Sequence, residues 1–187
     1  MSKQILIGLS GPAGCGKDTV AALLHKHGAF HRYTMALAMK QALEVMFDIP
    51  LSVWDDRVAK EAVVPWIGKS PRQLAQTLGT DWGRNTIHQD IWLRRMLREW
   101  DQVKTAVSPR MVVTDVRFDN EAQAIKNSGG TVWLVERPGV AAVAAHVSEK
   151  GVSSALIEGV VKNTGTLDQL EANMQHWIRF LLKRYAK

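Results

Sequence analysis

Apolar residues along this chain follow two rhythms. Four short continuous runs, each closed by glycine or polar residues, read as strands buried in a parallel sheet: Gln4 to Leu9, Met111-Val112-Val113 ending in Thr114-Asp115, Thr131 to Val135, and Gly159 to Asn163. Elsewhere the spacing is helical. Val20, Leu23, Leu24 and His27 form one face, Leu93, Met96, Leu97 and Trp100 a second, and Leu167, Leu170, Met174, Trp177, Ile178, Leu181 and Tyr185 a third. Strands separated by helices predict an α/β fold around a doubly wound sheet.

Local chemistry marks two helix starts. In SPRQLAQTLG, Ser70 reads as an N-cap, Pro71 takes the favoured first helical position, Gln73 completes a capping box and Gly79 offers a stop. Thr166 and Gln169 repeat the box before the last helix. No repeat, low-complexity tract or linker interrupts the pattern, and 187 residues suit one core, so residues 1–187 are expected to form a single domain. Arg137 to Ile157 is the least core-like stretch, rich in alanine, small and charged residues and bracketed by Pro138-Gly139 and Gly151. Pattern alone reads it equally as a mobile lid or a surface helix pair.

Composition adds little except through charge. The excess of 24 Lys+Arg over 18 Asp+Glu gives +6, which suits a phosphorylated metabolite, a nucleic acid or an acidic membrane surface without choosing among them. No apolar run approaches the roughly 18 to 20 residues that cross a bilayer, so neither an anchor nor a signal peptide is expected. The sole cysteine, Cys15, cannot form an intrachain disulfide, which suits a reducing cytoplasm, and it reads as a small loop residue rather than a nucleophile.

The chemistry concentrates in GPAGCGKDT, Gly11 to Thr19, between a predicted strand and a predicted helix. Glycines at 11, 14 and 16 permit a backbone that turns successive N–H groups onto a phosphate, the helix start adds its positive end, and Lys17 supplies a point charge for the β- and γ-phosphates. The usual pattern has serine or threonine after the lysine to serve Mg²⁺; here Asp18 stands there. Two arrangements are open: Asp18 serves the metal directly or through water, or Thr19 contributes its hydroxyl while Asp18 caps the helix or contacts the acceptor side. Asp115, at a predicted strand end, has the usual place of an acid that orients a metal or a hydroxyl, with Arg117 two residues beyond.

Several stretches taken together resemble one family. GPAGCGKDT, SPRQLAQTLGTDWGR with DIW, TDVRFDNEA, VERPG followed by HVSEKG, and VVKNTGTLDQL look like the deoxynucleoside monophosphate kinases of tailed bacteriophages, in order along nearly the whole chain. The resemblance implies a P-loop fold of the nucleoside monophosphate kinase kind: a five-stranded parallel sheet flanked by helices, an acceptor-binding segment at about 35–100 and a lid at about 137–157. It implies transfer of the γ-phosphoryl group of Mg·ATP to a deoxynucleoside monophosphate in deoxynucleotide biosynthesis, in the cytoplasm, the host's if the chain is phage-encoded. Asp18 after the lysine is then normal for the family.

By the same resemblance, Gly11, Gly14, Gly16 and Lys17 hold the donor phosphates, with Asp18 or Thr19 near Mg²⁺, and Asn163, Thr164 and Gly165 border the adenine. Arg72 is the candidate clamp on the acceptor phosphate, since a guanidinium matches phosphate oxygens with two parallel hydrogen bonds. Lys40, Asp81, Arg84 and Trp92 belong to the acceptor region; Trp92 also has core spacing, so packing is its expected role. Asp115 would orient the metal or the attacking oxygen, Arg117 would neutralise charge shared by donor and acceptor, and Arg137 would swing onto the donor phosphates from the base of the lid. His146 and Glu149 are expected to be structural. The compact stretch Asp48 to Lys69 departs from longer relatives, so base preference does not transfer. A homodimer is compatible with the family; no membrane and no stable nucleic-acid complex is expected.

The competing readings are a P-loop kinase of another phosphorylated metabolite, of the phosphomevalonate or dephospho-coenzyme A type, and a nucleotide-dependent switch ATPase. No NKxD motif supports a common GTPase. Arg94, Arg95 and Arg98 form a basic helical face without aromatic stacking residues, which a solvated surface explains as well as nucleic acid does.

Overall fold

The computed structural model describes residues 4–56, 58–139 and 151–184. Two compact units are distinguishable: Met1–Thr34 with Leu97–Lys187, and Met35–Met96.

The first unit holds a five-stranded, wholly parallel sheet. Its strands are β1 (Ile5–Ser10), β2 (His31–Tyr33), β3 (Arg110–Val113), β4 (Thr131–Glu136) and β5 (Gly159–Lys162), in the order β2-β3-β1-β4-β5. Every residue of β1 is buried, as expected of a central strand covered on both faces. Ile5, Ile7 and Leu9 pack with Val20 and Leu24 of α1 (Lys17–Gly28) and with Leu170, Met174, Ile178 and Leu181 of α6 (Leu167–Arg184). On Gly8 of the same strand a Cβ would meet the Ile125 side chain of α5 (Asp119–Asn127) at 2.7 Å, so the glycine lets that helix lie close. The four strands read from apolar runs are all present. The fifth, β2, is a three-residue edge strand whose first two side chains are exposed.

The last helix departs from its predicted face. Leu170, Met174, Ile178 and Leu181 are buried, but Leu167 is 59% and Trp177 39% exposed. Leu167 is the first residue of α6, beyond the reach of the sheet's core, and Trp177 rests its ring on Trp133 at 5.8 Å and meets Phe180 edge-on at 6.4 Å between centroids, remaining part-exposed. Tyr185 lies outside the described residues. The predicted capping box is in place: Gln169 N–H donates to Thr166 Oγ1 and Thr166 N–H to Gln169 Oε1.

The second unit contains α2 (Leu37–Phe47), a 3₁₀ turn at Leu51–Trp54, α3 (Pro71–Gln76), a π-helical segment at Thr77–Ile87, and the start of α4 (Ile91–Val103). Leu43, Ile49 and Leu74 form its small core with Phe47, Val53, Trp54, Val64 and Ile67 packed around them. The Ser70 capping box forms as predicted, but Gly79 does not stop the helix. The chain continues in a wider π turn because Gly79 is needed for close approach: a Cβ there would stand 2.6 Å from the sulfur of Met39, and its carbonyl accepts the Trp92 indole N–H at 2.8 Å.

Candidate phosphate-binding site and family

The loop from Gly11 to Gly16 joins β1 to α1 in a conformation that its glycines permit. Gly11, Gly14 and Gly16 have φ of 140°, 81° and 102°, where other residues are strained. Gly11 also has no room for a side chain, since a Cβ would come 2.5 Å from the Val135 carbonyl oxygen. Lys17 folds back over the loop, its Nζ donating to the carbonyls of Gly11 at 2.7 Å and Pro12 at 2.9 Å. Cys15 is buried beneath it. The first turn of α1 has no side-chain cap, so its N-terminal amides are left for an anion. Asp18 is exposed and Thr19 half-buried in that turn.

The parallel register gathers further candidates at the carboxyl ends of the strands, the edge where ligands bind in open α/β sheets. Asp115 follows β3, whose Val113 pairs with Gly8 of β1; the Val116 N–H reaches the Leu9 carbonyl at 3.1 Å. Its carboxylate is half-buried and accepts a hydrogen bond from Thr34 Oγ1 at 2.7 Å. Arg117 is exposed. Arg137 follows β4 and is exposed, and Asn163 follows β5, its side-chain amide donating to the Cys15 carbonyl at 3.0 Å. Gly165 is exposed in the turn before α6.

Sequence reading overlooked Thr34 and Glu121. Glu121 is only 3% exposed, and its Oε2 accepts the backbone N–H groups of Arg117 at 2.9 Å and Phe118 at 3.2 Å, fixing the loop that carries Arg117. An acid in the first turn of a helix is the local signal that identifies it.

Of the segment 137–157 expected as a lid, residues 140–150, with His146 and Glu149, lie outside the described residues. Its end is tied down: Ser153 N–H donates to Asp119 Oδ1 at 2.8 Å and its hydroxyl to Asp119 Oδ2, and a short 3₁₀ turn follows at Ser154–Leu156. These bonds, the hydroxyl's first, hold the Asp119 carboxyl below its ordinary range.

The acceptor-region candidates lie in the second unit. Arg72, in the first turn of α3, pairs through Nε with Glu61, and its N–H donates to the Lys60 carbonyl at 3.0 Å. Lys40 places its ammonium 5.3 Å above the Trp54 ring. Asp81 is exposed and Arg84 half-buried on the π segment. Trp92 is 8% exposed, with its ring against Gly83 and its N–H on Gly79, a packing position.

Among the described residues no three His, Cys, Asp or Glu side chains form a metal-holding group. A carboxylate at Asp115, another at Asp18 and the Thr19 hydroxyl are hard oxygen donors, and Mg²⁺ takes one or two such ligands beside phosphate and water. The residues therefore fit Mg²⁺ delivered with a nucleotide and not a dedicated protein cage. Among the described residues no helix is long and apolar enough to cross a membrane.

A dephospho-CoA kinase from Campylobacter jejuni shares the fold with a TM-score of 0.54 and 12% identity over 96% of this chain and 97% of that one. A shikimate kinase from Aquifex aeolicus gives 0.52 and 13% over 94% and 96%. These likenesses concern the P-loop kinase fold alone. A mimivirus protein named as a deoxynucleotide monophosphate kinase is 33% identical over 157 residues, 78% of this chain and 81% of its own. The deoxynucleotide monophosphate kinase of phage T4 is 29% identical over 60% of this chain and 46% of its own, so the chain spans about half the length of that relative. The sequence model of the deoxynucleotide monophosphate kinases matches residues 61–174. With that match added to a P-loop on a five-stranded parallel sheet, the chain belongs to the deoxynucleotide monophosphate kinase family, a family of nucleotide kinases.

Proposed function

We propose that the chain transfers the γ-phosphoryl group of Mg·ATP to the 5′-phosphate of a deoxynucleoside monophosphate, giving the diphosphate and ADP. The observation that carries the reading is the loop from Gly11 to Lys17, with three glycines at positive φ and a lysine at the start of an uncapped helix. An oxygen of the acceptor phosphate forms the new bond to the γ-phosphorus as the bond to the β–γ bridging oxygen breaks, and ADP carries away the negative charge. A monophosphate oxygen is already a competent nucleophile, so no strong base is required and the protein's part is alignment and charge stabilisation.

In this proposal the amides around Gly11, Gly14 and Gly16 and the Lys17 ammonium hold the donor phosphates. Lys17 leaves the Gly11 and Pro12 carbonyls to do so. Magnesium, when bound, neutralises phosphate charge, and Asp18, Thr19 and Asp115 are the residues that would hold it. Thr34 orients the Asp115 carboxylate. Arg117 and Arg137 stabilise the equatorial oxygens, Asn163 and Gly165 lie on the donor side, and Lys40, Arg72, Asp81 and Arg84 receive the acceptor, with Trp92 supporting the π segment. The site of action is the cytoplasm, a homodimer is compatible with the reading, and no stable nucleic-acid complex forms part of it.

The test is ADP release from Mg·ATP with each of dGMP, dTMP, dCMP, dAMP and their ribo forms, beside a control without acceptor. Turnover that requires a deoxynucleotide is expected. ADP release without any acceptor would replace this reading with an ATPase switch, and none with any nucleotide would direct the search to other phosphorylated metabolites.

A further inference from the structure

Asn163 touches the phosphate loop from 148 residues away in sequence, and it touches the backbone. Its Nδ2 donates to the carbonyl of Cys15 at 3.0 Å, and only the NH₂ half of the amide can face a carbonyl. The neighbouring residue leaves space for it: a Cβ on Gly16 would stand 2.5 Å from the same Nδ2. Asn163 is itself held, because its N–H donates to the Glu136 carbonyl at 2.7 Å, one step beyond the β4–β5 register.

A trans peptide points its C=O and N–H in opposite directions. The Cys15–Gly16 peptide is trans, so fixing the Cys15 carbonyl toward Asn163 also fixes the Gly16 N–H away from it. Other loop carbonyls are occupied as well, Gly11 and Pro12 by Lys17 and Gly16 by the N–H of Val20. Within the loop, Asn163 is the partner of Cys15 that comes from the far end of the chain.

We propose that Asn163 is a positioning residue of the phosphate-binding loop, which aims the Gly16 N–H by holding the Cys15 carbonyl, and not a residue that selects the adenine. The inference rests on the donor-phosphate reading above. It differs from an adenine contact in one measurable respect: its effect belongs to any polyphosphate, with or without a base.

The experiment measures binding of ADP and of inorganic tripolyphosphate, in magnesium-containing buffer, to the full chain and to Asn163→Ala and Asn163→Asp, each first shown by its melting curve to be folded. Asn163→Asp keeps the shape and loses the donor, so it serves if the alanine variant does not fold. Losing one hydrogen bond to a part-buried carbonyl should weaken both ligands by the same factor, about tenfold for the alanine variant. Gly16→Ala should cost less in the Asn163→Ala background than alone, because the amide its methyl would strike is gone.

A loss for ADP with none for tripolyphosphate assigns Asn163 to the base and overturns the proposal. So does unchanged binding of both ligands, or strict additivity in the double variant. If the unaltered chain binds neither ligand, the donor reading itself fails and the inference falls with it, a result distinguishable from the others because it appears before any substitution is made.

Discussion

Trp92 donates its indole N–H to the Gly79 carbonyl at 2.8 Å, and its ring lies where a Cβ on Gly83 would come within 2.7 Å. One tryptophan thus holds a π-helical segment at two glycines four residues apart. Trp92→Phe keeps an aromatic side chain but removes the indole edge that faces Gly83 and leaves the Gly79 carbonyl without its donor, and should cost roughly 1–3 kcal/mol of stability. Gly83→Ala drives a methyl into a ring that cannot swing away, and should cost about 1–3 kcal/mol despite alanine's better helix propensity. Urea unfolding of both variants checks this; a Gly83→Ala protein as stable as the original would mean the ring moves freely.

Gly11 and Lys17 belong to one loop but should fail in different ways. At Gly11 any side chain meets the Val135 carbonyl, a backbone atom, and φ is 140°, so Gly11→Ala should destabilise the fold by roughly 1–3 kcal/mol as well as impair turnover. Lys17→Ala removes only a side chain that bonds the loop's own carbonyls; the fold should persist while kcat falls by about 10²–10³. Melting curves beside turnover separate the two, and a Lys17→Ala protein with full activity would remove the lysine from the chemistry.

Arg72 offers the reverse contrast. Its pair with Glu61 is open to solvent, with side chains 48% and 53% exposed, so Arg72→Ala should change stability by less than about 1 kcal/mol. Under the proposed function the same change raises KM for the deoxynucleotide and leaves KM for ATP alone. Unaltered acceptor kinetics would leave Arg72 as a surface ion pair only.

Glu171 of α6 accepts hydrogen bonds from Lys26 and His27 of α1 at 2.7 and 2.6 Å, joining the last helix to the one that begins at the phosphate loop. The Lys26 bond first, then the His27 bond, lowers the Glu171 carboxyl from its ordinary value. A depressed carboxylate contributes stability that is complete above its unfolded value and is lost as pH falls through the folded one. Glu171→Gln should therefore be less stable than the original at neutral pH, with the difference shrinking on acidification through and below the usual carboxylate range. A difference independent of pH across that window would show that charge has no part in the contact.

Several local features were legible in the sequence. The apolar runs of β1, β3, β4 and β5 announced buried parallel strands, and the boxes at Ser70 and Thr166 formed because each needs only four consecutive residues. The glycine spacing of the phosphate loop belongs to the same class, since positive φ is a property of single residues. β2 escaped notice because an edge strand need not be apolar on its outer side: His31 and Arg32 are exposed.

The sequence by itself determined the α/β alternation, the phosphate loop and the family, because periodicity, capping and motif spacing act over a few residues. Tertiary structure decided whatever depends on partners distant in the chain. Gly79 carries the chain onward instead of stopping it, since Met39 and Trp92 meet it there. Trp177 faces partly outward, Thr34 orients Asp115, and Asn163 holds the Cys15 carbonyl. Each of these is a contact between residues that only the fold brings together, and one local pattern is compatible with many such contacts.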